Sequence, residues 1–395
     1  VVDHDEGLAH AMRPTSLAAI IVLLIAYGSL YPFDFRAPLD AGLAFEAFLS
    51  DRSLWTSRGD VLGNIGLFIP LGLSGVWSVV GTRARLRAAG ATFAGGLAVA
   101  FGLQVAQLWI ASRSAVLSDV AWNGVGILLG IAAGLVLAVP PVARRLPLGS
   151  AQAGALGLLC AWVIAELAPL VPSLDLGAVK ASARQLLVTP SLDPVAAISM
   201  TADVLLASRL LFAITGPRHS GLALAALAAA MLGGKVVVVE MRLGWTAVAG
   251  VGVGLLVWFL WTGRGRRAIP SRALLAVVLG AYTLRALDPF VFGAASTFSW
   301  TPFAASLKGS MLSNLKALTA AVFSLGGCLW LVRDIGWRPL PASCGLALWA
   351  LALEIAQIWV EGRTASVTDP VLVLLGGWLL WRADRGAARV GDGRE

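Results

Sequence analysis

Twelve apolar runs set the terms on which this chain can fold. They lie near residues 15–31, 60–80, 88–110, 119–140, 151–171, 197–215, 220–240, 244–262, 272–290, 310–332, 341–360 and 367–382. Each is of the length needed to cross roughly 30 Å of hydrocarbon as a helix. Inside a bilayer every backbone N–H and C=O must find its partner within protein, so unbroken apolar runs of this length fold as helices. The balance of residues agrees, with 58% hydrophobic and 13% charged among 395 and a mean hydropathy of +0.82. The expected class is an all-α integral membrane protein of about twelve transmembrane helices. The first run, Ser16 to Tyr31, has no small-residue cleavage site after it and reads as the first transmembrane helix.

The net charge of +8 does not point to nucleic acid. The arginines gather in short connections after even-numbered helices, at Arg83, Arg85 and Arg87, Arg144 and Arg145, Arg218, Arg264, Arg266 and Arg267, and Arg333 and Arg338. Arg382, Arg385, Arg389 and Arg394 follow the last run. The positive-inside rule makes this side cytoplasmic and puts both termini there.

Two segments 250 residues apart carry the same polar residues. Gln104, Gln107, Trp109, Arg113 and Asp119 are answered by Glu354, Gln357, Trp359, Arg363 and Asp369. Polar side chains are costly beside hydrocarbon and persist where they pair, face a bundle interior or work. The same offset relates Gly59 and Asn64 to Gly309 and Asn314, and Tyr31-Pro32-Phe33 has a counterpart in Asp288-Pro289-Phe290. A weaker third copy lies between, with Ala168-Pro169-Leu170, with Asp203-Val204-Leu205 resembling Asp60-Val61-Leu62, and with Gly252 and Gly254 aligned on Gly124 and Gly126. That alignment puts Lys235 at the position of Gln107, where interfacial snorkelling would account for it. The connections alternate long and short with a four-helix period. The organisation expected is three parallel four-helix repeats, at residues 1–145, 146–266 and 267–395.

In the first repeat, Asp60 and Asn64 open the second helix as Asp119 and Asn123 open the fourth. Each pair stacks on one helix face, with the carboxylate near the helix N-terminus. Together with Asp34, Gln104, Gln107 and Arg113 they are the candidate polar site, expected at the external ends of the helices. Arg113 with Asp34, Asp60 and Asp119 can hold a phosphate, a carboxylate or a glycan. Equally, Arg113 can staple the loop by pairing with Asp119 or Asp60, while Gln107 and Asn64 act as polar glue. The second-copy counterparts are Asn314, Glu354, Gln357, Arg363 and Asp369. The segment Leu43 to Leu49 reads either as an interfacial helix or as a packed loop.

The run Tyr31-Pro32-Phe33-Asp34-Phe35, then Asp60, Asn64, Phe68, Pro70 and Gly72, then Gln107, Arg113, Asp119, Asn123 and Gly126 resembles the VanZ-like membrane family. The match is best over 30–130, partial over 285–380 and weak between. The resemblance implies a cell-envelope role linked to glycopeptide tolerance and leaves catalysis undecided; the partners expected from the polar residues are membrane lipids and a lipid-linked or glycan ligand. Where the family commonly has Glu, this chain has Gln104 in the first repeat and Glu354 in the third. A transporter or flippase of a lipid-linked substrate, and a scaffold in envelope biogenesis, are the other readings. No nucleotide-binding motif, catalytic Ser or Cys arrangement or metal-ligand spacing occurs, so no metal and no cofactor is expected. Cys160, Cys328 and Cys344 are scattered singly in apolar stretches and read as packing residues.

Overall fold

A computed structural model of the chain describes residues 14–51, 53, 58–77, 79, 82–137, 150–172, 176–188, 190–239, 241–263, 267–304 and 311–392. Thirteen helices occur among the described residues. They are α1 (Pro14–Leu30), α2 (Ala41–Ser50), α3 (Arg58–Trp77), α4 (Thr82–Gln107), α5 (Leu117–Leu137), α6 (Ser150–Leu167), α7 (Leu176–Leu187), α8 (Pro194–Val237), α9 (Trp245–Thr262), α10 (Ser271–Leu287), α11 (Met311–Ile335), α12 (Pro339–Gln357) and α13 (Thr368–Asp392). Seven are long and apolar enough to cross a membrane. The fold is therefore helical and membrane-like, with isolated bridges as the only β pairing among the described residues.

Several boundaries differ from the sequence-based expectation. The two expected helices 197–215 and 220–240 are both present, but they follow one another without a loop inside α8, where Gly216 with φ 70° and ψ 178° breaks the helical backbone between them. Glycine tolerates that backbone where other residues resist it, and Pro217 restarts the helix in its first turn, where its missing N–H costs nothing. Arg83, Arg85 and Arg87 lie in the first turns of α4 rather than in a loop, and α13 continues through Arg382, Arg385 and Arg389. Leu43 to Leu49 is helical. Asp40 caps α2 by accepting from Leu43 N at 3.0 Å, and Phe48 turns into the core against Phe101, ring centroids 5.8 Å apart. Of the cysteines only Cys328 is buried; Cys160 and Cys344 sit on outward faces of apolar helices. Arg144, Arg145, Arg264, Arg266, Arg394 and Gly309 lie outside the described residues.

The described residues cluster into two compact units, an N-terminal one built on α1–α5 and a C-terminal one built on α6–α13. In the N-terminal unit α3 and α5 pack closest. A Cβ on Gly72 would stand 2.1 Å from the Ile127 carbonyl oxygen, one on Gly126 2.2 Å from that of Ile65, and one on Gly130 2.1 Å from that of Ile69. Backbone thus meets backbone, the arrangement that small residues permit between membrane helices. In the C-terminal unit α8 is the hub, packed on α6, α7, α9 and α10, with Leu206 and Leu210 fully buried and Trp162 stacked on Phe323 at 5.5 Å. The hydroxyls of Thr201, Thr215, Thr262, Thr283 and Thr319 donate to the carbonyl four residues back, which satisfies them where water is scarce.

One local build recurs three times. After α1, α6 and α10 comes a cis X-Pro bond, at Pro32, Pro169 and Pro289, followed by a residue with positive φ, Phe33, Leu170 or Phe290. Three residues after each proline an antiparallel bridge forms, Phe35 to Ile110, Pro172 to Val238 and Phe292 to Val360. The hydrogen bonds match as well, from Ala111 N to Asp34 O, Val239 N to Val171 O and Glu361 N to Val291 O.

Candidate functional site

The described end of α1 leaves carbonyls that its own helix cannot satisfy. Two side chains from across the N-terminal unit reach them. Gln107, the last residue of α4, donates from Nε2 to Ser29 O at 2.8 Å. Arg113, in the loop that follows, donates from Nε to Tyr31 O at 2.9 Å and from Nη2 to Gly28 O at 3.4 Å. A cation at a helix C-terminus also complements the dipole. Asp34 accepts from Ser112 Oγ at 2.9 Å, which ties the proline turn to the same loop.

Gln104 points elsewhere. Its Oε1 accepts from Val116 N at 3.0 Å and its Nε2 donates to Asp119 Oδ2 at 3.1 Å, so one amide holds both the loop and the start of α5. Asn64 of α3 is within hydrogen-bonding reach of the same carboxylate, and Asp60 is near enough for its charge to act on it. One turn deeper the Asn123 Oδ1 is buried without a partner. Asp60, Asn64, Gln104, Asp119 and Asn123 therefore form one polar set between α3, α4 and α5, open on the exposed side chain of Asp60. Asp34, Gln107 and Arg113 form another, around the end of α1. Arg113 does tie down its loop, but its bonds go to carbonyl oxygens at the end of α1 in place of the pairing with Asp119 or Asp60 that the sequence allowed.

The C-terminal unit repeats this lacing with different groups. Arg363 donates from Nε to Asp288 O and from Nη2 to Arg285 O, both at 2.6 Å, and its Nη2 lies 3.6 Å from Asp288 Oδ2. Glu354 Oε2 accepts from Ser366 N at 2.7 Å, twelve residues on, as Gln104 does from Val116. The carboxyl of Glu354 is within hydrogen-bonding reach of Asp369, the counterpart of Asp119. Tyr282 of α10 donates its hydroxyl to Asp369 Oδ2. Gln357 is half-buried at the register of Gln107, and Asn314 sits in the first turn of α11 with an interaction of its own. Lys235 does not snorkel. Its Nζ is 2.6 Å from Glu166 Oε2, because Glu166 stands three residues before Pro169, as Ser29 does before Pro32.

Sequence reasoning missed Tyr282, Arg285 and Glu166. Arg285 carried a signal all the same, being a cation inside an apolar helix. Its guanidinium lies over the Tyr282 ring, 5.0 Å from the centroid, and Nη2 reaches Ser324 Oγ at 3.4 Å.

Residues 14–138 match the model of the VanZ/LLP1 family. The N-terminal unit is VanZ-like. The matched stretch holds α1–α5 and both polar sets just described, so the VanZ-like features of this unit and its polar lacing coincide. No curated protein and no solved structure matches the chain.

Proposed function

We propose that this is a cell-envelope membrane protein whose VanZ-like unit binds a polar headgroup or glycan at the external membrane face, between α3 and α5. The convergence of Asp60 and Asn64 with Asp119, above the unpartnered Asn123 Oδ1, carries the reading. With Arg113 bonded to the end of α1, the set is made of carboxylates and amides, which favours ligands rich in hydroxyl or ammonium donors over a bare phosphate. Exposed Phe35 and Trp109 flank an open groove with Arg36, Ala37 and Ala106, an apolar bed beside a cation that suits a lipid-linked molecule.

The topology that goes with this reading is twelve crossings in three parallel four-helix repeats, with α8 counted as two at Gly216 and both termini inside. Its support is the thrice-repeated proline turn with its bridge, and the two helical halves of α8 on either side of Gly216, each of about 21 residues and so long enough for one crossing.

Asp60→Asn and Asp119→Asn test the site, with protein level and glycopeptide sensitivity assayed separately and co-purified lipids identified by mass spectrometry. The expected result is normal accumulation with loss of the bound molecule and of the phenotype. Normal ligand retention and sensitivity in both variants would remove the site. A transporter or flippase is the second reading, favoured by the carboxyl-rich cluster inside the C-terminal unit; a scaffold requires neither set.

A further inference from the structure

We propose that the C-terminal unit holds an exchangeable proton on the Glu354–Asp369 pair, loaded from a small cavity at Asp203 through the Tyr282 hydroxyl. The inference is independent of the headgroup site, because it concerns the other compact unit.

The geometry begins with the pair. Glu354 and Asp369 bring two carboxyl groups within hydrogen-bonding reach of each other, an arrangement that is stable when one of them carries a proton. At the same register in the N-terminal unit, the Gln104 amide supplies the hydrogen itself and needs no proton. Glu354 is 5% exposed, and its other bond, from Ser366 N, fixes the carboxyl in place.

Tyr282 connects the pair to a cavity. It donates to Asp369 Oδ2 and also lines a pocket of about one water's size with Ser199, Asp203, Arg285 and Ser324. Ser199 Oγ is buried there with no partner, and its residue is 9% exposed. An unsatisfied hydroxyl facing a polar void calls for water. With the pair ionised, a proton arriving on that water passes to the Tyr282 oxygen as the phenolic hydrogen moves to Asp369, where the two carboxyls then share it. One proton enters, one O–H bond breaks for each that forms, and the return follows the same atoms in reverse.

Charge counting favours a loaded state. Asp203 and Asp369 both face Arg285, Glu354 faces Asp369, and Glu166 is already matched by Lys235. Ionising all three carboxyls leaves an excess of negative charge in a poorly solvated bundle, which protons relieve. Asp203 lies nine residues into α8, about 14 Å along its axis and near half the hydrocarbon depth. Beyond it Leu206, Ala207 and Leu210 are fully buried.

Infrared spectroscopy of the full chain in phospholipid nanodiscs tests this by the C=O stretch of protonated carboxyls and its shift on transfer to D2O. The wild type is expected to show the band and to exchange it. Glu354→Gln should delete a component of it, and the fold should survive, since Gln104 already makes the equivalent two bonds. Tyr282→Phe should keep the band and slow its deuteration, which a purely structural tyrosine would not do. The proposal is overturned if the band is unchanged in both Glu354→Gln and Asp369→Asn, if the wild-type band never exchanges, or if Tyr282→Phe exchanges at the wild-type rate. Should Glu354→Gln fail to accumulate, the Tyr282→Phe rate alone decides.

Discussion

The two units close their polar ends on the same backbone plan with different chemistry. In the N-terminal unit an amide, Gln104, bridges a loop N–H and the carboxylate of Asp119. In the C-terminal unit a carboxyl, Glu354, bridges Ser366 N and Asp369. The first arrangement is complete as soon as the chain folds. The second needs a proton as well, and Tyr282 stands ready to deliver one. A site can thus keep its geometry while its dependence on solvent changes entirely.

The comparison is most sharply tested where the units differ in tightness. Gly126 of α5 aligns with Gly254 of α9, but an added Cβ would meet the Ile65 carbonyl at 2.2 Å in one and the Val204 side chain at 2.8 Å in the other. Val204 Cβ is held by its own backbone too, so the difference lies in the wider gap at Gly254. Gly126→Ala is therefore expected to cost about 3 kcal/mol or more and Gly254→Ala about 1–2 kcal/mol, read as thermal unfolding in detergent by tryptophan fluorescence. Equal losses would mean that the interfaces relax alike.

Next comes the lacing by arginine. Arg363 is half-buried with two bonds of 2.6 Å and a carboxylate beside it, whereas Arg113 is exposed with bonds of 2.9 and 3.4 Å. Arg363→Ala should destabilise by about 3 kcal/mol and Arg113→Ala by about 1 kcal/mol, the smaller figure reflecting solvent screening. A reversed order in the same unfolding assay would show that the lacing matters more in the N-terminal unit. Gln104→Leu leaves both Val116 N and Asp119 without that partner and is expected to cost about 2 kcal/mol. Hydrogen exchange at Val116 should accelerate accordingly. The smallest effect belongs to Glu354→Gln, within about 1 kcal/mol of wild type, since the amide preserves both bonds. A large loss there would break the equivalence of the two ends.

The apolar helical class and the paired polar motifs were legible because they are local: run length and spacing are properties of contiguous sequence. The grouping of Asp60 and Asn64 with Asp119 also followed, since helix periodicity stacks residues four apart on one face. What Arg113 and Gln107 bind did not follow, because their acceptors are backbone carbonyls of α1, which every sequence possesses. The cluster of Asp203, Tyr282 and Arg285 escaped for another reason. Its members come from α8 and α10 and meet only through tertiary packing, although Arg285 inside an apolar helix marked the place. Lys235 was placed at the right register, but its partner Glu166 lies 69 residues away.

The matched registers of Gln104 and Glu354 also bear on heredity. Their side chains differ by an NH2 in place of an OH, and their codons differ at a single base. Because the surrounding loop and helix start accept either group without rearrangement, one nucleotide change is enough to install or abolish a proton requirement at one end of a unit.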